Sequence, residues 1–297
     1  MLIAGRAAQL STSNVAHAVF LTHDLSFSKS LSKALPDSVF RQISLSDCSE
    51  DVAKRYVISH LDFERTDEEA GEKKLSRSQQ RKDLAELDEV LPTLGGRLTD
   101  LESLARRVKT GESPRKATHE IVEQSASEIL KMFLLSGDEN RKWSPQQAWF
   151  LVRQLATKES LRYNEILLSD TYKTGGEAAL AALEQAELIS VQSHAGRPYS
   201  IKPGRPVYST AFRRLTGDNV LASKLDLAVL AESIKAETQS IDKCEQELHL
   251  LGELPKQPAE LTNRIQYLLG KIQASQIKIE SYEKDSGVLK KILQSEY

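Results

Sequence analysis

The C-terminal stretch constrains the fold more than any other part of the chain. Leu227, Leu230, Ile234, Ile241, Cys244, Leu248 and Leu251 occupy a and d positions of one heptad frame, interrupted by Glu237. Gly252-Glu253-Leu254-Pro255 breaks that frame. Ile265, Leu268, Ile272, Ile279, Tyr282 and Leu289 then resume it, with Ser275 and Ser286 as weak positions. An apolar repeat of 3.5 residues keeps one seam of a helix facing a partner. Two such runs around a tight Gly/Pro break predict an antiparallel coiled-coil hairpin over 218–297. A short break favours packing of the two runs on each other as a stalk. The alternative is self-association through the same seam. Glycine is scarce, at 14 residues, and aromatics make up 6%. Both point to a mainly α chain rather than a β-sandwich or barrel.

Upstream, the period changes. Residues 15–21 form a short apolar run ending in Thr22-His23-Asp24, and 39–45 alternate, so each reads as a strand of an α/β segment over 1–63. Ser46 and Asp47 are expected to cap a helix from about Ser49 to Leu61. Residues 64–82 are strongly charged and read as a linker or insert. A helical unit follows over 83–140, with Gly95-Gly96-Arg97 before a helix that carries Leu101, Leu104, Ala105 and Val108 on one face. Pro114 starts the next helix, which runs through Ile121, Ile129 and Met132. Ser144-Pro145 is an N-cap followed by proline at the first helical position. Helices at 145–156, 162–170 and 175–187 precede short strands at 188–193 and 198–202, joined by His194-Ala195-Gly196-Arg197. Three helices and then a β-hairpin is the winged-helix order, assigned to 141–217.

The chemistry that is missing narrows the function. There is no G-x-x-x-x-G-K-[ST] loop to cradle phosphates, and no apolar strand ends in paired acids that would hold magnesium. H-E-x-x-H and G-x-S-x-G are absent too. The reading is therefore a non-enzyme, with no catalytic residue, no metal and no cofactor in this chain. Cys48 and Cys244 have no metal-ligand spacing and read as free thiols. With 40 basic and 42 acidic residues, the net charge of −2 argues against coating nucleic acid by bulk charge. No apolar run reaches the roughly 20 residues that cross a bilayer, and Met1 to Leu10 makes no signal peptide. The chain by itself is expected to be soluble.

The order of strand, helix, strand, helical set and winged helix resembles the second half of an AAA+ module. In such modules a polar residue ending one core strand senses the γ-phosphate. An arginine near the next strand reaches a neighbouring subunit, and an arginine opening a lid helix contacts the nucleotide. The resemblance makes Thr22, Arg41 and Arg97 the nucleotide-sensing candidates. It makes 1–63 a remnant of the AAA+ core and 83–140 the helical lid. Guanidinium groups and helix N-termini both stabilise phosphoryl charge. The alternatives are a turn cap for Thr22, a surface role for Arg41, and pairing of Arg97 with Asp100 or Glu102.

Several blocks resemble the fungal mitochondrial escape protein 2 family: 17–22 (HAVFLT), 28–37 (SKSLSKALPD), 95–101 (GGRLTDL), 124–128 (QSASE), 160–165 (SLRYNE), 175–180 (GGEAAL), 196–203 (GRPYSIKP) and 247–255 (ELHLLGELP). The chain would match the C-terminal part of that family's AAA+-like region. Ser38 departs from the arginine expected before Val39-Phe40-Arg41, and Met1 to Arg6 reads as an arbitrary beginning. The resemblance implies a longer inner-membrane parent that helps maintain mitochondrial DNA and organise nucleoids, with this region facing the intermembrane space. An RNA-recognition domain is expected only in the parent's N-terminal part. ATP and magnesium are expected only in that full-length parent, and the missing N-terminal part is the first partner of this chain.

The winged helix raises a nucleic-acid alternative. Arg197, Lys202, Arg205, Arg213 and Arg214 surround the expected wing and the next helix and could meet phosphates. The helix at 175–187, in the recognition position, is Ala/Glu-rich with no arginine or lysine. Direct base readout favours Arg, Asn or Gln, so a protein-contact or lid-coupling role fits that helix better. The rival to the fragment reading is a stand-alone nucleic-acid-binding adaptor.

Overall fold

A computed structural model describes residues 47–61, 77–135, 141–173, 175–194, 197–253 and 259–295, with positions 10, 13 and 18–20. Among these described residues, ten α-helices span Glu50–His60 (α1), Arg77–Leu94 (α2), Leu98–Lys109 (α3), Pro114–Ile129 (α4), Pro145–Thr157 (α5), Tyr163–Leu168 (α6), Gly176–Gln185 (α7), Pro206–Gly217 (α8), Asn219–Gly252 (α9) and Ala259–Ser295 (α10). Three strands, Leu161–Arg162 (β1), Ile189–His194 (β2) and Arg197–Pro203 (β3), form one antiparallel sheet in the order β1-β3-β2. The chain is thus mainly α with one small sheet.

Several helix starts follow from local chemistry. Ser144 and Gln147 close a capping box at α5, each side chain bonding the other's backbone N–H, and Pro145 occupies the first turn. Ser113 caps α4 ahead of Pro114. Helix α4 continues as π-helical turns over Leu130–Leu135, with Phe133 and Leu134 buried. Ser46 lies outside the described residues, and Asp47 does not cap α1. Its N-cap is Ser49, without a side-chain cap bond.

Helices α1 to α5 and α8 share a core. Helix α8 packs against α2, α4 and α5 with Val207, Tyr208, Ala211, Phe212 and Leu215 buried. The buried cluster runs on through Trp149, Leu161, Tyr172, Leu180 and Ile201 to Leu225 at the root of α9. In the sheet, Ile201 of β3 pairs with both Leu161 and Val191, and an irregularity between Gln192 and Ser193 shifts the register of β2. Strand β1 was not anticipated. Two residues carry too little periodicity to announce a strand, and its ladder exists only because β3 lies beside it.

Helices α9 and α10 pack antiparallel along the heptad seam. Cys244, Leu268 and Ser275 are its most buried members. The two polar interruptions meet: Ser275 Oγ donates to Glu237 Oε2 at 2.7 Å, and Lys278 Nζ donates to Glu237 Oε1 at 2.8 Å. Arg264 grips Glu247 with two bonds nearer the break. The root of α9 is tied to α5 through Asp226, which accepts from Trp149 Nε1 at 2.7 Å and Arg153 Nη1 at 2.9 Å.

The expectations upstream meet fewer described residues. The strand at 39–45, Thr22 and Arg41 lie outside them. So do 64–76 of the charged insert, while 77–82 already belong to α2. Ala18, Val19 and Phe20, in the middle of the expected first strand, carry no strand and are exposed.

Candidate functional site

Three loops meet where α3, α7 and α8 have their ends. Gly95-Gly96-Arg97 enters α3, Glu187-Leu188 leaves α7, and Gly204-Arg205 enters α8. They approach closely. Gly95 has a φ of 64° and no room for a Cβ against Pro206. The Gly204 N–H donates to the Leu188 carbonyl at 3.0 Å, and a Cβ at Gly204 would overlap the Glu187 backbone. The Cys48 N–H donates to the Gly96 carbonyl at 2.9 Å, which brings the entry to α1 to the same place.

Charge converges there. Arg97 Nη2 donates to Glu187 Oε2 at 3.0 Å, and its Nη1 lies 3.8 Å from Asp47 Oδ1. Arg205 Nε lies 3.7 Å from the same Glu187 oxygen, and its Nη1 is 3.9 Å from Glu128 Oε2. The Arg205 guanidinium also stands 5.5 Å over the Tyr208 ring. Burial would lower the pKa of Arg205, but Tyr208 and the carboxylates of Asp100, Glu128 and Glu187 hold it above its ordinary value. Burial pushes the Tyr208 hydroxyl up to about 12.

Two members of this junction sit under local cost. Asp100, in the first turn of α3, is 7% exposed and its Oδ2 has no hydrogen-bond partner. Burial raises its pKa, with Arg205 and Arg97 drawing it only partly back. Glu187 has a φ of 61°, the one positive φ at a non-glycine among the described residues. It follows α7 where the Leu188 N–H bonds back to the Leu183 carbonyl at 3.0 Å. Glycine is the usual residue there, and a side chain in that conformation costs about 1 kcal/mol.

Comparison with known proteins gives the chain its family. The RNA12 protein family matches residues 1–254. This chain belongs to the RNA12 family. Its relatives include mitochondrial escape protein 2 of Phaeosphaeria nodorum, 59% identical over 98% of this chain and 36% of that protein. The protein of the same name in Chaetomium globosum is 52% identical over 98% of this chain and 37% of its own length. In Aspergillus niger it is 52% identical, with 98% and 35% covered. The chain therefore spans little more than a third of the curated relatives it matches. No solved structure matches it.

Within this RNA12-family chain the candidate residues divide. Arg97 lies at the junction, yet it pairs with neither Asp100 nor Glu102. Glu102 bonds Arg106 one turn on, at 3.1 Å, and Arg97 reaches across to Glu187 instead. The five cations considered for nucleic acid have different immediate surroundings. Arg205 is at the junction, and Arg213 Nε donates to the Ala156 carbonyl at the end of α5, at 3.4 Å. Arg214 bonds Glu123 of α4 at 2.5 Å. Arg197 and Lys202 are exposed on β3. The exposed positions of α7 include Glu177, Ala178, Ala181 and Gln185, and none is basic.

Sequence reading missed Glu187, and took Asp100 only as a pairing partner for Arg97, not as a buried carboxyl. A glutamate just after a helix, where glycine is usual, was the available signal for the first. For the second there was none, because burial of an acidic first-turn residue depends on what packs over it. Among the described residues no group of three or more His, Cys, Asp or Glu could hold a metal, and no helix is long and apolar enough to cross a membrane.

Proposed function

We propose that this chain is the lid, winged-helix and stalk part of an AAA+-like protein of the mitochondrial inner membrane that helps maintain the mitochondrial genome and organise its nucleoids. One observation carries this reading: Arg97, the N-cap of α3, links that helix to the far side of the sheet unit through Glu187. A lid arginine that bridges two packed units can couple nucleotide state to shape. The relatives' name supports the mitochondrial setting, and the partial coverage of their length supports a fragment. The order α5, β1, α6, α7, β2, β3 and the β1-β3-β2 sheet support a winged helix. The lack of exposed cations on α7 favours protein contact over base reading.

On this reading the chain hydrolyses no ATP alone. The phosphate loop and magnesium site, the membrane span and the RNA-recognition domain lie in the rest of the longer protein, and nucleotide there meets the exposed edge of Arg97. The test is ATP turnover and ATP affinity of the full-length protein carrying Arg97→Ala. At least a tenfold loss is expected, since removing a charged donor to a phosphoryl group typically costs about 10²-fold or more. Unchanged turnover and affinity would overturn the sensor role. Robust turnover by the 297-residue chain alone would overturn the non-catalytic reading.

The exposed Arg197 and Lys202 keep a second reading alive, that of a winged-helix adaptor on nucleic acid. Duplex DNA titrated across a salt series separates the two. Tight binding with a steep salt slope supports the adaptor, and no binding near physiological salt removes it.

A further inference from the structure

We infer that Glu187 is a built-in stand-in for a phosphate group: its carboxylate holds the anion position between Arg97 and Arg205, and a polyphosphate ligand displaces it, unclasping the sheet unit from α3. The inference deepens the nucleotide reading of Arg97 and rests on that reading for its ligand class.

Three observations carry it. First, one oxygen, Glu187 Oε2, serves both arginines, at 3.0 Å from Arg97 Nη2 and 3.7 Å from Arg205 Nε. The second distance is too long for a hydrogen bond, and Arg205 Nε is buried with no hydrogen-bond partner. A planar carboxylate on a tethered side chain satisfies one fork and leaves the other wanting. A phosphate, with three oxygens on a tetrahedron, can meet both. Second, the two arginines are the N-caps of two twelve-residue helices, α3 and α8, and neither N-cap makes a side-chain cap bond. Arginine has no acceptor with which to cap a helix, so neither positive dipole end is met by its own N-cap side chain, although Pro206 has no N–H and the Asp100 and Tyr208 N–H groups bond the N-cap carbonyls. Third, Asp100 is 7% exposed with Oδ2 unpartnered, and its strongest favourable charge neighbours are those same arginines. Its unpartnered oxygen is a buried polar group of this junction that no protein donor satisfies.

The cost carried by Glu187 fits the same account. Its left-handed backbone favours glycine, so the side chain is retained against local preference. Glu128 and Asp47 remain beside Arg205 and Arg97 when Glu187 leaves, and keep the guanidinium groups in place. Because Glu187 stands between α7 and β2, its release frees the sheet unit rather than the lid itself.

The backbone supplies a clean variant. Glu187→Gly removes the carboxylate and relieves the backbone at once, and Glu187→Asn does the same with a residue that also tolerates this conformation. Inorganic tripolyphosphate is titrated calorimetrically into the whole 297-residue chain at low salt. Either variant should bind about tenfold more tightly than the parent, the size of one charge-assisted hydrogen bond set free. Adding Arg97→Ala should abolish the gain. Equal affinities, or a gain that survives Arg97→Ala, would overturn the inference. If Glu187→Gly does not fold, Glu187→Asn carries the test. A tripolyphosphate gain alongside unchanged ATP turnover in full-length Arg97→Ala would keep this anion site and remove the sensor role. The reverse result would keep the sensor role and remove this inference.

Discussion

The three-loop junction and the coiled-coil seam each set a carboxylate among partners, and they treat it oppositely. In the seam, burial works to raise the pKa of Glu237, but hydrogen bonds from Lys278 and Ser275 more than offset it and hold the group below its ordinary value. In the junction, burial wins: Asp100 is held above its ordinary value, with an oxygen left unpartnered. The seam shows a polar residue kept because it is fully met, and such a pair fixes register in a coiled coil. The junction shows polar groups kept although they are incompletely met, a pattern expected at functional sites rather than structural ones.

The largest contrast between the two regions should appear in packing. Phe212 of α8 is fully buried against the shared core, so Phe212→Ala should cost about 3–5 kcal/mol. Ile272 in the seam is only half-buried, and Ile272→Ala should cost about 1–2 kcal/mol. Denaturant melts followed by Trp149 fluorescence and by helix content separate the effects. Equal costs would mean that the hairpin is as much a part of the core as α8.

The next effect concerns the joint between the regions. Asp226→Ala removes the acceptor of both Trp149 and Arg153. The loss should be about 2 kcal/mol, mostly from the Trp149 bond, because Arg153 is half-exposed and its pair is screened. Loss of helix content should then precede loss of the Trp149 signal. Coincident transitions would show that packing alone holds the hairpin root.

The two carboxylates sharpen the comparison through pH. The folded pKa of Glu237 is lowered, so its stabilisation is present above the ordinary glutamate value of about 4.3 and disappears as pH falls through the folded value. Glu237→Ala should thus cost about 1 kcal/mol at pH 7 and almost nothing at pH 2. The folded pKa of Asp100 is raised, so its contribution is fully present below the ordinary aspartate value of about 3.9 and is lost as pH rises through the folded value. Asp100→Asn should therefore stabilise by at most about 1 kcal/mol at pH 7, the cost of an unmet buried group, and by nothing at pH 3. Acid melts of the two variants should move in opposite senses from the parent. Parallel movement would break the contrast.

Much of the hairpin was legible in the sequence. A seam is a local repeat, and every heptad position from Leu227 to Leu251 and from Ile265 to Leu289 is half-buried or buried. Glu237 and Ser275 were both visible as interruptions, but their meeting depends on the register between α9 and α10, which neither helix specifies alone. The cap at Ser144 was legible too, because a cap involves residues within one turn.

The junction was not legible in this way. Arg97 was singled out, with Asp100 or Glu102 as its nearest partners, whereas its partner is Glu187, 90 residues away. The same holds for Arg205, Arg213 and Arg214, which look like a basic cluster in sequence: Arg205 is half-buried at the junction, while Arg213 and Arg214 stay exposed and bond the Ala156 carbonyl and Glu123. The sequence by itself determined what repeats or closes within a turn: the heptad helices, the Ser144 cap and the mainly helical class. Only the tertiary structure decided which charges meet, because an ion pair needs two side chains within about 4 Å, and the close approach of the loops at the ends of α3, α7 and α8 sets that distance.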